Sequence, residues 1–317
     1  MKQIFDKVKN RIKPIKNEPP LRYSKNNIEF PKLTKEQRLF FDINGYLIIE
    51  DIFSENSITK FKNIFDNVWK DYMPISSKLL NSNKDHELRD KGPGGCLLHT
   101  VINDNYLSLV RVEHYDQYLS NYFCNEYLLS VIEELSGSNV RLSASNIIIN
   151  EKSDNPNIDF KFEEFHKANN GEYRHYYKNG LYHGSLMRAM LSLNDLTEDS
   201  GGTIFIPGTH KLKFEASKIA NIVKQNTNMI KTWTGKAGSM LFFTEDLIHA
   251  VGVNKTNNRR MILGSKFAPS RFQAWLKQYE PTEEEVNNWP KEFKPLITGE
   301  EGYGKYGIQT VVKHRKI

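Results

Sequence analysis

Apolar positions near the start of the chain follow the spacing of helices. Thr34 and Gln37 match the capping box that opens a helix, in which each side chain accepts a backbone N–H from the other residue. The predicted helix runs through Phe41, and Gly45 ends it. A second helix is predicted from Ser54, because apolar residues then recur on one face. That stripe consists of Ile58, Phe61, Phe65, Val68, Trp69 and Tyr72. We assign its aromatic side chains to the core rather than to a cofactor site.

A third helix is predicted from about Tyr118 to Leu135, ahead of Gly137, and short apolar runs separated by Gly, Pro and Asn follow it. The runs predicted as strands are LSASNIIIN, SLMRAMLSL, GTIFIP, SMLFF and RMILGSKF. Such strands are typical of a closed antiparallel sandwich or barrel. The polar segment from Lys152 to Gly184 shows little apolar alternation, and it is predicted to be a long loop at the mouth of the site.

Length and composition are those of an ordinary soluble enzyme. At 317 residues the chain can bury a full core. We divide it into a basic N-terminal arm, residues 1–32, and a single domain, residues 33–317. Cys96 and Cys124 are too few for a disulfide framework, which fits a reducing compartment. Neither a membrane-spanning apolar run nor the apolar core of a signal peptide is found, so we expect a cytoplasmic protein.

The positive charge of the chain is concentrated in the arm. The net charge is +6, and most of the excess lies before residue 28, where lysines alternate with apolar residues at helical spacing. This pattern allows weak contact with an anionic membrane surface or an acidic carrier protein, or else a loosely ordered arm. The sequence has no zinc-finger spacing, RNA-binding aromatic motif or recognition-helix signal, so no nucleic-acid partner is predicted.

Candidate chemistry lies in the C-terminal half, where His249 follows an apolar run and precedes Arg259 and Arg260. A non-haem Fe(II) centre that binds a cosubstrate and O₂ needs few protein ligands, and imidazoles on strands supply them. A guanidinium on a neighbouring strand can hold the carboxylate of an oxoacid with two parallel hydrogen bonds. Adjacent strand residues point to opposite faces. We therefore assign Arg260 to the site and Arg259 to a solvated or ion-paired surface position.

Several motifs occur in a fixed order around these residues. They read Asn194-Asp195, Gly201-Gly202, Ile206-Pro207-Gly208-Thr209-His210-Lys211, His249, Asn254-Lys255-Thr256 and Arg260. Together with the helix, Gly-Tyr turn and first strand of residues 37–54, they resemble the phytanoyl-CoA dioxygenase-like family of Fe(II)/2-oxoglutarate-dependent oxygenases. The resemblance spans residues from roughly 33 to 275.

The resemblance implies a mainly β fold with flanking helices, a double-stranded β-helix of the jelly-roll type. It also implies Fe(II) and 2-oxoglutarate as cofactors, with His166 and His249 as metal ligands and Arg260 on the distal carboxylate of 2-oxoglutarate. The implied reaction decarboxylates 2-oxoglutarate to succinate and CO₂ and hydroxylates an aliphatic carbon of a small-molecule or carrier-bound substrate. A non-catalytic jelly-roll protein that binds a ligand is a further alternative.

The chain departs from the family pattern at the first metal ligand. The family presents an acid two residues after the first histidine, and this sequence has Ala168 there, in Phe165-His166-Lys167-Ala168. Loss of a carboxylate leaves the ion one more open position and less compensating negative charge.

Four interpretations account for the missing acid. A chloride ion binds iron in its place, as in the halogenating branch of these oxygenases, or water or a carboxylate from Glu163, Glu164 or Asp159 fills the position. Alternatively, His175 or His183 replaces His166, although neither has an acid two residues further on, or the fold no longer binds iron. We assign His183 and His210 structural roles.

Overall fold

The structure is a computed structural model that describes residues 33–81, 91–102, 105–155, 157, 164–168, 175–270, 272 and 281–299. The basic arm, and the predictions made for it, lie outside the described residues. Among the helices of the described part, none combines the length and the apolar character needed to cross a bilayer. Cys96 and Cys124 are both free thiols.

The first two predicted helices are confirmed. α1, Lys35–Asn44, opens with the capping box of Thr34 and Gln37. It ends at Gly45, whose φ of 81° is the left-handed conformation that glycine adopts at low cost. α2, Glu55–Tyr72, begins after the Ser54 side chain accepts the backbone N–H of Ser57. The helical part continues with α3, Ser76–Asn81.

The third helix was predicted as one element, and that prediction is wrong. The segment contains a 3-10 turn, Gln117–Leu119, then α4, Ser120–Phe123, and then α5, Glu126–Ser136. Asn125 separates the two helices with an extended backbone, and its side chain accepts the N–H of Leu128. Asparagine is among the strongest N-cap residues, so it starts a new helix here.

One large antiparallel sheet organises the molecule. Its strands, in spatial order, are β1 (Tyr46–Ile49), β10 (Met240–Thr244), β7 (Met187–Ser192), β12 (Arg260–Pro269), β4 (Val140–Asn150), β3 (Tyr106–Val110) and β2 (Leu97–Ile102). A smaller sheet has the order β11 (His249–Val251), β8 (Thr203–Phe205) and β9 (Lys231–Thr232). The remaining described helices are α6 (Ala216–Val223), α7 (Glu283–Asn287) and α8 (Lys294–Thr298).

The five strands predicted from apolar runs are confirmed, but the predicted long loop is partly wrong. Its described C-terminal end forms a hairpin of β5, His175–Lys178, and β6, Leu181–Gly184. Asn179 and Gly180 connect the two strands with positive φ angles, as the tight turns of hairpins require. β2 and β3 were also not predicted.

Both faces of the large sheet are buried, and successive residues of a strand contribute to different cores. On β4, Ile147 and Ile149 belong to the core that includes α2 and α5, whereas Ile148 belongs to the core between the two sheets. On β12, Met261 and Leu263 face the helices and Ile262 faces the second sheet. This alternation follows from the two-residue period of a strand. Residues at even positions of β12, from 260 to 264, therefore point into the space between the sheets.

Candidate metal and oxoacid site

His166 and His249 lie side by side. The backbone N–H of each donates to the carbonyl of the other at 2.9 Å, and their ring centroids are 4.3 Å apart. His249 follows the apolar strand β10, as predicted: β10 ends at Thr244, and after a short turn His249 opens β11. The structure brings together the two histidines that the sequence selected.

Hydrogen bonds set the protonation of both rings. The Nδ1 of His166 lies 2.8 Å from the carbonyl of Glu164, and the Nδ1 of His249 lies 2.8 Å from the carbonyl of Leu247. A carbonyl only accepts, so in the neutral form of each ring Nδ1 carries the proton and Nε2 keeps its lone pair. A backbone acceptor of this kind is a common outer partner of metal-binding histidines. Both rings thus fit a divalent metal at Nε2.

The His249 ring is held in the neutral form that binds metals. Burial, assisted by the neighbouring His166 and opposed by Glu245, lowers the pKa of His249 to about 3. The side chain is therefore uncharged at neutral pH, and a metal need not displace a proton from it.

Arg260 is a buried cation with unused hydrogen-bond donors. It is 1% exposed, and its Nη1 donates to Asn150 Oδ1 at 3.1 Å. Its Nε and Nη2 have no acceptor among the described residues. Burial lowers the pKa of Arg260 to about 10, so the guanidinium stays charged at neutral pH. A bound anion would stabilise a buried positive charge whose N–H donors lack acceptors, and 2-oxoglutarate has a carboxylate that can bind there.

Arg259 occupies the surface position predicted for it. It forms ion pairs with Asp66 at 3.1 Å and with Glu151 at 2.5 Å, and its guanidinium lies over the ring of Trp69. Arg259 is thus ion-paired at the surface, whereas the adjacent Arg260 is buried in the cavity wall.

A cavity between the two sheets joins the three candidate residues. Its volume is about 240 Å³, and it is partly open to solvent. Its lining includes His166, His249, Arg260, His99, Thr100, Tyr106, Ser108, Asn146, Arg188, Met190, Phe243 and Lys266. The mixture of imidazoles, cations and hydroxyl groups suits a metal and a small anionic ligand.

Ala168 is buried two residues after His166, and its methyl side chain supplies no ligand. It is 7% exposed, and its N–H donates to the carbonyl of Glu245 at 2.7 Å. Within the described ranges, no third Asp, Glu, Cys or His joins the histidine pair at metal-binding distance. Glu164 offers its carbonyl to His166. Glu163 and Asp159 lie outside the described residues.

The alternative histidines lie away from the cavity. His175 pairs with Asp246 at 2.9 Å and stacks on Tyr182, while His183 is buried and stacks on Tyr176. His210 packs edge-on against Tyr182. None of the three lines the cavity between the sheets.

Sequence reasoning missed a charged cluster in the cavity wall. The Nε of Arg188 donates to Glu245 Oε1, and the Nζ of Lys266 lies 3.5 Å from the same oxygen. Burial raises the pKa of Glu245, but Lys266 and Arg188 lower it more strongly, so the net pKa lies below the usual range. The signal in the sequence was a lone arginine inside the apolar run SLMRAMLSL, and a lysine six residues after Arg260 on the same strand.

The amino-acid sequence matches those of known proteins. The sequence profile of the family described as phytanoyl-CoA dioxygenase (PhyH) matches residues 41–262. The peroxisomal phytanoyl-CoA dioxygenase of Mus musculus is 22% identical over 264 residues, which cover 76% of this chain and 70% of that protein.

Solved structures are similar in fold. HygX from Streptomyces hygroscopicus, with nickel and 2-oxoglutarate bound, matches with a TM-score of 0.57 at 16% identity, over 77% of this chain and 90% of HygX. EctD from S. alaskensis, with 2-oxoglutarate and 5-hydroxyectoine, matches with a TM-score of 0.52 at 17% identity, over 80% of this chain and 81% of EctD. The predicted double-stranded β-helix with flanking helices is confirmed.

Proposed function

The chain belongs to the phytanoyl-CoA dioxygenase family, and from this premise we propose that it hydroxylates an aliphatic carbon of a small-molecule or carrier-bound substrate. As a member of that family it is a non-haem Fe(II)/2-oxoglutarate-dependent dioxygenase. One observation supports the proposal for its site most strongly: two imidazoles with free Nε2 atoms share a cavity with a buried, partly unpartnered arginine.

Each residue has a separate role in this proposal. His166 and His249 hold Fe(II) through Nε2, and their Nδ1 hydrogen bonds orient the rings. Arg260 binds the distal carboxylate of 2-oxoglutarate through the donors that lack an acceptor. Bound iron and 2-oxoglutarate supply the oxidising chemistry with O₂, with succinate and CO₂ as coproducts.

Chlorination is a second candidate, and Ala168 favours it. The position two residues after His166 carries a buried methyl group where the family pattern has a carboxylate. An anion such as chloride fits a metal position of this kind because it restores the missing negative charge.

The effect of chloride on succinate formation and on the Fe(II) spectrum distinguishes the two candidates. The protein is incubated with 2-oxoglutarate, Fe(II), ascorbate and O₂, with and without chloride, and chloride is titrated into the anaerobic Fe(II) complex. Hydroxylation predicts succinate in both buffers and no chloride-dependent spectral change. A chloride-dependent shift of the spectrum moves the assignment to chlorination. A folded protein that binds neither iron nor 2-oxoglutarate contradicts both.

A further inference from the structure

Arg188 lies on the inner face of the large sheet, in a part of the cavity distinct from that of Arg260. On β7 it is opposite Phe243 of β10 and Lys266 of β12. Arg260 is six residues from Lys266 along β12, which corresponds to roughly 20 Å of extended strand. The backbone positions of the two arginines are therefore far enough apart for two anionic groups to be bound at once.

Neighbouring charges hold the Arg188 guanidinium in place. Its Nε donates to Glu245 Oε1, and Lys266 lies 3.5 Å from that oxygen. The Glu245 side chain is 5% exposed, whereas that of Arg188 is 22% exposed. A buried carboxylate thus fixes one edge of the guanidinium while the rest of the group lines the cavity.

The outer edge of Arg188 has unused donors. Among the described residues, neither Nη1 nor Nη2 of Arg188 has a hydrogen-bond acceptor. The Arg188 side chain lines the cavity. Two parallel N–H groups match the two oxygens of a carboxylate. Arg188, His166 and His249 line the same cavity, which places this edge near the proposed metal site.

We propose that Arg188 binds a carboxylate of the prime substrate, so that the enzyme acts on a small organic acid. This inference rests on the proposed function, because it assumes that Arg260 holds 2-oxoglutarate and that the histidine pair holds iron. The cavity of about 240 Å³, which would also hold 2-oxoglutarate, is smaller than most small-molecule sites, roughly 300–1,000 Å³, and this favours a compact acid. Ser108, Thr100 and Asn146 supply further polar contacts along its wall.

The test uses propionate as a probe and propionamide as its uncharged counterpart. Each is titrated into the anaerobic complex with Fe(II) and saturating 2-oxoglutarate, in chloride-free buffer. ¹³C NMR detects binding, and the visible band of the complex shows whether 2-oxoglutarate stays bound. We expect wild-type protein to bind propionate but not propionamide, with the band retained.

Variants assign the binding to Arg188. Arg188→Met is expected to weaken propionate binding by about tenfold or more, since two charge-assisted hydrogen bonds are lost. Arg188→Lys is expected to retain part of it, because an ammonium attracts the anion without the paired donors. Arg259→Met removes an arginine outside the cavity and is expected to change nothing.

Three results overturn the proposal. They are a wild-type complex that fails to bind propionate, equal binding by wild type and Arg188→Met, and propionate that displaces 2-oxoglutarate. If Arg188→Met does not fold, the binding of propionate and propionamide to wild type and to Arg188→Lys still tests the proposal. Absence of the 2-oxoglutarate band from wild type refutes the proposed function instead, and propionate binding to the metal-free protein then tests Arg188 separately.

Discussion

At the scale of single residues, Arg260 is expected to determine affinity for the cosubstrate. Arg260→Met removes the buried donors proposed for the distal carboxylate, so the KM for 2-oxoglutarate should rise at least about tenfold. Steady-state succinate formation measures this effect. Arg259→Met is the matched control, since its guanidinium pairs with Asp66 and Glu151 instead. Equal effects of the two substitutions would contradict the assignment.

His210 gives the fold a dependence on pH. Burial, assisted by Lys211, lowers the pKa of His210 from 6.5 to about 4. Between these pH values the unfolded chain binds a proton that the folded chain does not. The free energy of unfolding is therefore highest above pH 6.5, and it decreases as the pH falls toward 4. Near pH 5 the free energy of unfolding is expected to be lower by about 2 kcal/mol from this residue.

Urea denaturation at pH 7 and pH 5 tests this linkage. His210→Phe keeps an aromatic ring against Tyr182 but cannot take up a proton, so its loss of stability between the two pH values should be smaller than that of wild type. Parallel losses in the two proteins would show that His210 does not contribute.

At the scale of secondary structure elements, the Gly201-Gly202 pair shows why a motif can be read from sequence. Gly201 has a φ of +70°, and a Cβ on Gly202 would lie 2.1 Å from the carbonyl oxygen of Trp233. A turn that brings two backbones so close requires glycine. The motif thus reflects close packing in the smaller sheet, where Gly202 precedes β8 and Trp233 follows β9.

Gly202→Ala is therefore expected to be severely destabilising. The added methyl group meets rigid backbone, and we expect a loss of roughly 3 kcal/mol or more in the free energy of unfolding. Gly180→Ala is the control, because a Cβ there meets nothing within 4 Å and only its φ of +78° is unfavourable, at about 1–2 kcal/mol. Chemical denaturation of both variants is the measurement, and a smaller effect for Gly202→Ala would refute the packing argument.

Elements with strong local signals could be predicted, and those that depend on tertiary contacts could not. The capping box of Thr34 and Gln37 and the apolar runs of β4 and β12 are local features, and they gave correct elements. Asn125 splits a helix through a single side-chain hydrogen bond inside a continuous apolar pattern. The β5 and β6 hairpin is mostly polar on one strand, so it lacks the apolar alternation of a strand.

At the scale of the whole molecule, the site is assembled from distant segments. His249 and Arg260 were found because a family motif contains them, whereas Arg188, Glu245 and Lys266 meet only through the pairing of β10, β7 and β12. No sequence spacing reveals that register. The absence of the expected carboxylate near His166, in contrast, can be seen in the sequence, because residue 168 is alanine.

Binding of cofactors is expected to stabilise the whole fold, because the unfolded chain has no assembled site. Fe(II) with 2-oxoglutarate at one hundred times the dissociation constant should add about 2.7 kcal/mol to the free energy of unfolding. Anaerobic thermal denaturation measures the rise in Tm, and a chelator should reverse it. An unchanged Tm for wild type, despite saturating cofactors, would contradict an assembled site.

The central claim is that His166 and His249 hold Fe(II) together with 2-oxoglutarate. The most direct test is the weak visible charge-transfer band of the anaerobic complex, compared between wild type, His166→Ala and His175→Ala. We predict that wild type and His175→Ala show the band and that His166→Ala lacks it while remaining folded. A band that survives His166→Ala and disappears in His175→Ala would contradict the account and move the metal to His175.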